Sequence, residues 1–340
     1  MLELTPDNVI PYLQQRGDLE VAESSRAALL GWGVSNVVLR ISSPGGEDLV
    51  IKQSRETLRT AAEWRSRLDR VFREADVMRA ICDVVAPEIV PRVLFEDRDN
   101  YLFAMQAVEA DHVVWKAALL DGEADPHVAL LAADCLATIH GRTTGNLEMK
   151  RRWRDATVFD ELRLDPFYRF TAGRVAETRE FYDELVRETL ATSSCLVLGD
   201  FSPKNILLTS RGISLVDFET ACFGDPAFDV GFFLSHLLLK TLRHAERRDA
   251  FLHLTRAFWA AYLDRLVPAV DDESLHRPNL SRRSTRHLAG CLLARIDGKS
   301  PVDYLDESQR DFTRGFAMHL IADPPDSPDE VFRLLGDALC

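Results

Sequence analysis

The stretch of sequence that decides the fold is a run of polar residues set between apolar strands. It reads Leu198-Gly199-Asp200-Phe201-Ser202-Pro203-Lys204-Asn205, and Asp217-Phe218-Glu219 begins twelve residues after Asn205. Asp200 follows a short apolar strand and Asp217 ends the next one, so both carboxylates can converge at strand ends. An isolated aspartate in a turn is more often a local cap. The ordered set instead indicates a site that combines a metal with a base.

The residues before this stretch begin with a β-rich region. Strands are predicted at about 28–30, 37–41, 49–52, 89–95 and 101–106, and helical spacing covers 57–82. The turn between the first two strands is Gly31-Trp32-Gly33-Val34-Ser35-Asn36. The order β-β-β-α-β-β predicts a small N-terminal lobe over residues 1–106.

Residues 107–340 are predicted to form a larger, mainly helical C-terminal lobe. Short strands interrupt the helices at about 195–198, 206–208 and 213–216. A core-facing helix is expected over 128–140, stopped by Gly141, and Gln106 to Asp111 should connect the lobes. The sequence thus predicts an α+β fold of two lobes.

Charge and composition exclude several classes of protein. With 41 Lys+Arg against 54 Asp+Glu, the net charge of −13 disfavours nucleic acid and membrane partners. The six cysteines lie far apart without a C-x-x-C pair, and no apolar run is long enough to span a bilayer. We therefore expect a cytoplasmic protein. Only six of its basic residues are lysines, so a lysine indicates a position where arginine does not serve equally well.

The central stretch resembles a known group of enzymes. Its pattern is D-x-x-x-x-N, then a strand ending in D-F-E, then Gly224-Asp225-Pro226-Ala227-Phe228-Asp229. This is similar to the catalytic core of the aminoglycoside phosphotransferase and choline kinase superfamily, which has a protein-kinase-like fold and includes methylthioribose kinase. The resemblance runs from about residue 29 to 239 and is strongest over 195–239.

The resemblance implies roles for the polar residues of the core. Asp200 would be the catalytic base, Asn205 and Asp217 would bind Mg²⁺, and Glu219 would support a second metal ion. Asp229 would be a structural residue that supports the catalytic loop. The implied reaction transfers the γ-phosphoryl group of ATP to a hydroxyl group of a small molecule. GTP stays open as the donor.

A kinase of this group also needs phosphate-binding residues in the N-terminal lobe. The turn with Gly31, Gly33, Ser35 and Asn36 would cover the nucleotide phosphates with its backbone. Lys52 ends the third strand and would bind phosphate oxygens, since an ammonium fits where a guanidinium does not.

A glutamate of the following helix should hold Lys52 in place. Glu74 is the preferred partner and Glu63 competes with it, while a solvated pair of Glu74 with Arg70 is the alternative without function. Backbone groups of Gln106 and Val108 would bind adenine, by the same resemblance.

One residue departs from the pattern. The superfamily has histidine before the Gly-Asp of the catalytic loop, where this chain has Leu198. In kinases that histidine bonds loop backbone, so a packed leucine can retain activity. The competing hypothesis is a nucleotide-binding pseudokinase with a regulatory role. A metal-dependent hydrolase using Asp200 and Asp217 is a third hypothesis, which the N-terminal lysine and turn disfavour.

The sequence does not identify the acceptor or the oligomeric state. Residues 107–340 carry a net charge of −9, which favours a cationic or neutral acceptor such as an aminoglycoside, an amino alcohol or a sugar. Phe159 to Tyr168 and Arg282 to Tyr304, with Arg295 and Asp297, are expected to shape its site. His140 is interpreted as a core histidine.

Overall fold

The chain folds into two compact units. The computed structural model describes residues 2–31, 36–57 and 66–339. The first unit contains Met1–His112 and Ser214–Glu219, and the second contains Val113–Ile213 and Thr220–Cys340. The first unit thus extends beyond Gln106 and takes in a short later segment that carries Asp217 and Glu219.

The first unit is built on an antiparallel sheet of five strands in the order β1-β2-β3-β5-β4. Its strands and helices are α1 (Val9–Arg16), β1 (Arg26–Leu29), β2 (Asn36–Ser42), β3 (Leu49–Ser54), α2 (Arg70–Cys82), β4 (Val93–Asp97) and β5 (Leu102–Gln106). Every residue of β3 is buried, and Lys52 pairs with Val38 of β2 and Phe103 of β5. The lysine therefore projects from the middle of the sheet.

Two predicted elements of this unit begin later than expected. Helix α2 starts at Arg70, residues 66–69 are not helical, and 58–65 lie outside the described residues. Charge spacing alone did not locate the start of this helix. Strand β4 starts at Val93 rather than near residue 89, because Pro91 has no N–H to donate to a strand neighbour.

The second unit is mainly helical, as the sequence predicted. Its helices are α3 (Trp115–Leu120), α4 (Pro126–Thr143), α5 (Leu147–Trp153), α6 (Thr157–Phe159), α7 (Phe170–Arg174), α8 (Arg179–Ala191), α9 (Pro226–Arg243), α10 (Arg248–Arg265), α11 (Arg277–Asp297), α12 (Glu307–Ala322) and α13 (Pro328–Ala338). Helix α9 is buried over nearly all its length and packs against α11, while α10 packs against α4. A π-helical stretch, Asp160–Arg169, joins α6 to α7.

Short strands position the central loop in this unit. They are β6 (Val113–Val114), β7 (Cys195–Val197), β8 (Ile206–Thr209) and β10 (Cys222–Gly224), together with β9 (Gly212–Leu215), whose last two residues belong to the first unit. Strand β7 pairs with β10, and β8 pairs with β6. The loop 198–205 thus begins where β7 ends and leads into β8. Asp217 lies two residues beyond the end of β9, whereas the sequence predicted a strand that continues to Val216, directly before Asp217.

Gly141 does not end its helix. Helix α4 continues to Thr143. A Cβ atom at Gly141 would lie 2.5 Å from the carbonyl oxygen of Val267, and Ala269 donates its N–H to the Gly141 carbonyl at 2.8 Å. The glycine is therefore required by a close approach of backbone and not as a helix stop.

Within the described part of the chain, no helix is both long enough and apolar enough to cross a bilayer.

Candidate functional site

Lys52 is the centre of a buried charged cluster in the first unit. Its Nζ lies 2.6 Å from Oε2 of Glu74 and 2.6 Å from Oδ1 of Asp217. Lys52 is 5% exposed and Glu74 is 1% exposed. The ammonium is therefore fixed between carboxylates from α2 and from the segment 214–219.

The pKa values of this group follow from burial and charge. Burial works to lower the pKa of Lys52, but Asp217, Glu74 and Glu219 outweigh it and hold the value above the usual range. Burial raises the pKa of Glu74, Lys52 opposes that rise, and Asp217 adds to it. The lysine is thus kept as a cation in spite of its burial.

A second buried cation completes this cluster. Nε of Arg70 lies 3.0 Å from Oε2 of Glu219, and Nδ2 of Asn36 donates to the same oxygen at 2.9 Å. Arg70 therefore binds Glu219 and does not form the solvated pair with Glu74 that was the alternative. Lys52 supplies the partner of Glu74 instead.

Asp217 has an unusual backbone conformation. Its φ is +74°, and the one other non-glycine residue with positive φ in the described chain is Tyr101. Aspartate tolerates this left-handed region better than most residues, at a small energetic cost. The side chain of Asp217 is 24% exposed, more than that of Lys52 or Glu74. It is therefore the accessible carboxylate of this cluster.

The carboxylates fit the chemistry of a divalent cation. One oxygen each from Glu74, Asp217 and Glu219 lie within 4.8 Å of one another. Carboxylate oxygens are the hard ligands that Mg²⁺ prefers. The donor set thus suits such an ion.

In the second unit, Asp229 holds the backbone at the start of the loop 198–205. Its carboxylate accepts the N–H of Leu198 and that of Gly199, both at 2.7 Å. Nε2 of His140 lies 3.2 Å from the same carboxylate. Asp229 is fully buried. These hydrogen bonds confirm the prediction that Asp229 supports the loop, and His140 belongs to that support.

Gly199 gives the loop its path. Its φ is +71°, and a Cβ there would lie 2.9 Å from both the carbonyl oxygen and Oγ1 of Thr220. The hydroxyl of Thr220 donates to the carbonyl of Leu198 at 2.9 Å. Only glycine combines this backbone conformation with this approach.

Asp200 is bound by two cations. Nη2 of Arg163 lies 2.7 Å and Nζ of Lys204 2.8 Å from Oδ2 of Asp200. Arg163 projects from the π-helical stretch and also donates from Nε to the Gly199 carbonyl at 2.5 Å. The amide Nδ2 of Asn205 donates to the Asp200 carbonyl at 3.0 Å, so its Oδ1 is the atom that can bind a metal. Asp200 is 4% exposed.

The other predicted nucleotide-binding residues lie in the first unit. Gly31 follows β1 and is exposed, whereas Gly33, Ser35 and the competitor Glu63 lie outside the described residues. Gln106 ends β5, and its N–H donates to the Arg92 carbonyl at 2.9 Å.

Val108 follows β5 by two residues. Its carbonyl accepts from Nη1 of Arg40 at 3.0 Å.

Sequence reasoning missed the roles of Arg70 in the first unit and of Arg163 and Lys204 in the second. The scarcity of lysine was a signal for Lys204. Arg163 lies in a segment that was expected to shape the acceptor site, but nothing in the local sequence separates it from the neighbouring arginines.

Comparisons with known proteins find methylthioribose kinases among the relatives of the chain. The chain is 27% identical over 241 residues to methylthioribose kinase 2 of Oryza sativa subsp. japonica, covering 62% of this chain and 55% of that enzyme. It is 24% identical over 351 residues to the methylthioribose kinase of Bacillus cereus (strain AH187), covering 92% and 88%. The chain therefore spans just over half the length of the rice enzyme.

Solved structures share the fold. Choline kinase from Cryptosporidium parvum matches over 98% of this chain and 99% of its own, with a TM-score of 0.56 at 11% identity. The fold is protein-kinase-like, as the resemblance implied. Residues 26–270 match the model of a family described as the phosphotransferase enzyme family. The chain belongs to that phosphotransferase enzyme family.

Proposed function

We propose that the protein transfers the γ-phosphoryl group of ATP to a hydroxyl group of a small molecule, with Mg²⁺ as the metal. The observation that carries this proposal is the buried ion pair of Lys52 with Glu74, joined by Asp217 at 2.6 Å. Kinases of this fold use such a lysine to bind nucleotide phosphates and such an aspartate to bind metal. The family match supports the same reaction class.

The nucleotide is held, in this proposal, by residues of the first unit. Lys52 donates to phosphate oxygens, and Glu74 keeps its ammonium in position. The segment with Gly31, Gly33, Ser35 and Asn36 covers the phosphates. Backbone groups of Gln106 and Val108 bind the base.

Asp217, Asn205 and Glu219 are the residues that would hold the metal. Bound Mg²⁺ supplies positive charge that neutralises the phosphate oxygens during transfer. Asp217 contributes a partly exposed carboxylate, and Asn205 contributes an amide oxygen. Glu219 is engaged by Arg70 and Asn36, so we assign it a secondary role.

Asp200 positions the acceptor hydroxyl and accepts its proton. Arg163 and Lys204 both contact Oδ2, which fixes the plane of the carboxylate. Oδ1 is then the oxygen that receives the hydroxyl. Because phosphoryl transfer has a loose transition state, orientation of the hydroxyl contributes more than early removal of its proton.

In this proposal the acceptor is a small hydroxyl compound, for which the sequence alone suggested an aminoglycoside-, amino-alcohol- or sugar-like molecule. The curated relatives act on methylthioribose by name, and a structural neighbour acts on choline. These names support a small hydroxyl compound. They do not favour the pseudokinase alternative.

The test is a coupled assay of ADP release with MgATP across a panel of hydroxyl compounds. Asp200→Asn should lower kcat by roughly 10²- to 10⁴-fold. The control is Asp134→Asn on α4, an exposed aspartate paired with Arg265, which should retain full activity. Calorimetry should show that ATP binds tightly only when Mg²⁺ is present.

Three results would contradict the proposal. They are full activity in Asp200→Asn, equal ATP affinity with and without Mg²⁺, and ADP release that needs no acceptor. The last would favour the hydrolase hypothesis. Nucleotide binding without transfer to any acceptor would favour the pseudokinase.

A further inference from the structure

Four side chains of the second unit form a group that we call the basic cluster: Lys116, His236, Lys240 and Arg295. Lys116 lies on α3, His236 and Lys240 lie one turn apart on α9, and Arg295 lies near the end of α11. The Tyr304 ring joins the lysines, with its centroid 4.8 Å from Nζ of Lys240 and 5.8 Å from Nζ of Lys116. Its hydroxyl accepts from Lys240 at 2.9 Å.

No carboxylate of the described chain lies within ion-pair distance of the cations of this cluster, although Asp303 acts on Lys116 and Lys240 from further away. Within residues 2–31, 36–57 and 66–339, Lys116, Lys240 and Arg295 form no ion pair with a carboxylate. Nε2 of His236 and Nε of Arg295 are buried without a hydrogen-bond partner. Lys240 is 1% exposed and His236 is 7% exposed. Buried cations and buried polar atoms are normally paired, so the cluster is a site that a ligand would complete.

The pKa values agree with this description. Burial, Arg295 and Lys116 lower the pKa of Lys240 well below its usual value, and the exposed Asp303 opposes them. Burial also lowers the pKa of Lys116, and there Asp303 is the largest opposing charge. Burial and the charge of Lys240 lower the pKa of His236 in the same way. An arriving negative charge would reverse these effects.

The cluster lies close to the loop that carries Asp200. Asp200 and Arg163 act electrostatically on Arg295, and Lys204 acts on both Lys116 and His236. Lys204 itself contacts Asp200 at 2.8 Å. Lys116, Lys204 and Lys240 are half of the lysines in a chain that otherwise uses arginine.

We propose that the basic cluster binds an anionic group, a carboxylate or a phosphate, on the same molecule whose hydroxyl group is phosphorylated. The inference rests on the proposed function and narrows its acceptor class. Lys116 and Arg295 are partly exposed and contact the anion, while Lys240 and His236 lie more deeply and add positive potential. Hydroxy acids and sugar phosphates therefore fit, and polycationic aminoglycosides do not.

This inference differs from the one drawn from net charge. The −9 of residues 107–340 pointed to a cationic or neutral acceptor. Net charge averages over the exposed surface, whereas a ligand responds to the few charges that face it in a medium of low dielectric constant.

The first experiment measures binding and needs no turnover. Inorganic phosphate is titrated calorimetrically into the wild type, Lys116→Met and the control Lys150→Met, in which an exposed lysine of α5 is replaced. We expect Lys116→Met to weaken phosphate binding by roughly ten- to hundredfold, as loss of a charge-assisted contact does. Lys150→Met should bind as the wild type does. Lys116→Arg should restore part of the affinity.

The second experiment identifies the source of the anion. Glycerol, D-glycerate and glycerol 3-phosphate form one acceptor series, and D-glucose, D-gluconate and glucose 6-phosphate form another. We expect the anionic members to have a kcat/KM higher by tenfold or more, as an order-of-magnitude expectation. Lys116→Met should remove that preference. Preference for the acids indicates a carboxylate, and preference for the esters indicates a phosphate.

The outcomes separate this inference from the proposed function. Phosphate binding that Lys116→Met weakens supports the anion site even if no acceptor is phosphorylated. Phosphate binding that MgADP displaces and Lys116→Met does not alter belongs to the nucleotide site and overturns the inference. Efficient turnover of neutral or cationic acceptors, unchanged in Lys116→Met, also overturns it and leaves the kinase proposal intact.

Discussion

Lys52 and Lys240 are buried lysines of the two units, and their surroundings differ in sign. Lys52 has carboxylates of Glu74 and Asp217 at 2.6 Å, whereas the neighbour of Lys240 is the neutral hydroxyl of Tyr304 at 2.9 Å. The pKa of Lys52 is accordingly raised, and that of Lys240 is lowered. Both lysines are buried, so the presence or absence of a nearby carboxylate determines the direction of the pKa shift. The charge of Lys52 is balanced by the protein itself, whereas the charge of Lys240 would be balanced by a bound ligand.

The largest expected effect comes from removing each charge in turn. Lys52→Met leaves two carboxylates without their cation, and we expect a loss of about 3–5 kcal/mol in the free energy of unfolding. Lys240→Met removes an uncompensated charge, so its stability should be unchanged or higher by up to about 2 kcal/mol. Urea unfolding in a buffer free of phosphate and carboxylate measures both. A matching loss in Lys240→Met would show that its charge is compensated and would break the comparison.

Asp229 extends the comparison to a buried anion that is bound by N–H groups. Asp229→Ala leaves the N–H groups of Leu198 and Gly199 without acceptors. We expect a cost of about 1–3 kcal/mol for each donor, measured by urea unfolding. Hydrogen exchange of those two amides should also become faster. Unchanged exchange would mean that Asp229 does not hold the loop in solution.

Two buried histidines, His287 and His236, show the same contrast between a side chain with hydrogen-bond partners and one without, and the expected effect on stability is smaller. His287 is buried, but Nδ1 is 2.7 Å from the Tyr168 hydroxyl and Nε2 is 3.4 Å from that of Thr189, whereas Nε2 of His236 has no partner in the described chain. Burial, with Arg283 and Arg286, lowers the pKa of His287 to about 4 and Asp225 opposes them. The neutral ring is thus accommodated without any ligand.

The pH dependence follows from the sign of that shift. Below the ordinary pKa of 6.5 the unfolded chain binds a proton at His287 that the folded chain does not, so stability falls as the pH is lowered toward 4. Between pH 7 and 5 the loss is about 2 kcal/mol. Urea unfolding at several pH values measures this loss, and His287→Gln should remove it. The exposed His253→Gln should leave it unchanged, and an unchanged slope in His287→Gln would contradict the assignment.

The smallest effect is expected at Leu198. Leu198 is buried, and its backbone N–H donates to the Asp229 carboxylate, which also binds the N–H of Gly199 and the side chain of His140. Leu198→His should therefore lower stability by about 1 kcal/mol and leave turnover within about threefold of the wild type. The coupled ADP assay measures this. Activity that appears only in Leu198→His would show that the natural chain is a pseudokinase.

The sequence predicted features that depend on local pattern. Lys52 and Glu74 could be selected because each lies among apolar residues at strand or helix spacing, and the structure pairs them at 2.6 Å. Asp229 could be selected because it follows the D-F-E strand at a spacing known from a resembled family. These features need only a few consecutive residues to be recognised.

Features that depend on distant residues were not predicted. Arg70 binds Glu219, which lies 149 residues away in the sequence, and the backbone nitrogen of Gly199 and the side chain of His140 meet only at Asp229. The basic cluster draws Lys116, Lys240 and Arg295 from three helices. Local periodicity does not indicate such long-range contacts, because each of these side chains alone has the spacing of an ordinary helix residue.

The return of residues 214–219 to the first unit affects how the protein is made. Synthesis must continue for 107 residues beyond His112 before Glu219 exists. At about 5–20 residues per second, that delay is roughly 5–20 s. During it the nascent first unit holds the cations of Lys52 and Arg70 without Asp217 and Glu219. A ribosome-bound or truncated chain that ends at His112 would thus lack Asp217 and Glu219, two of the three carboxylates that bind them, and the unit becomes complete only after much of the second has been translated.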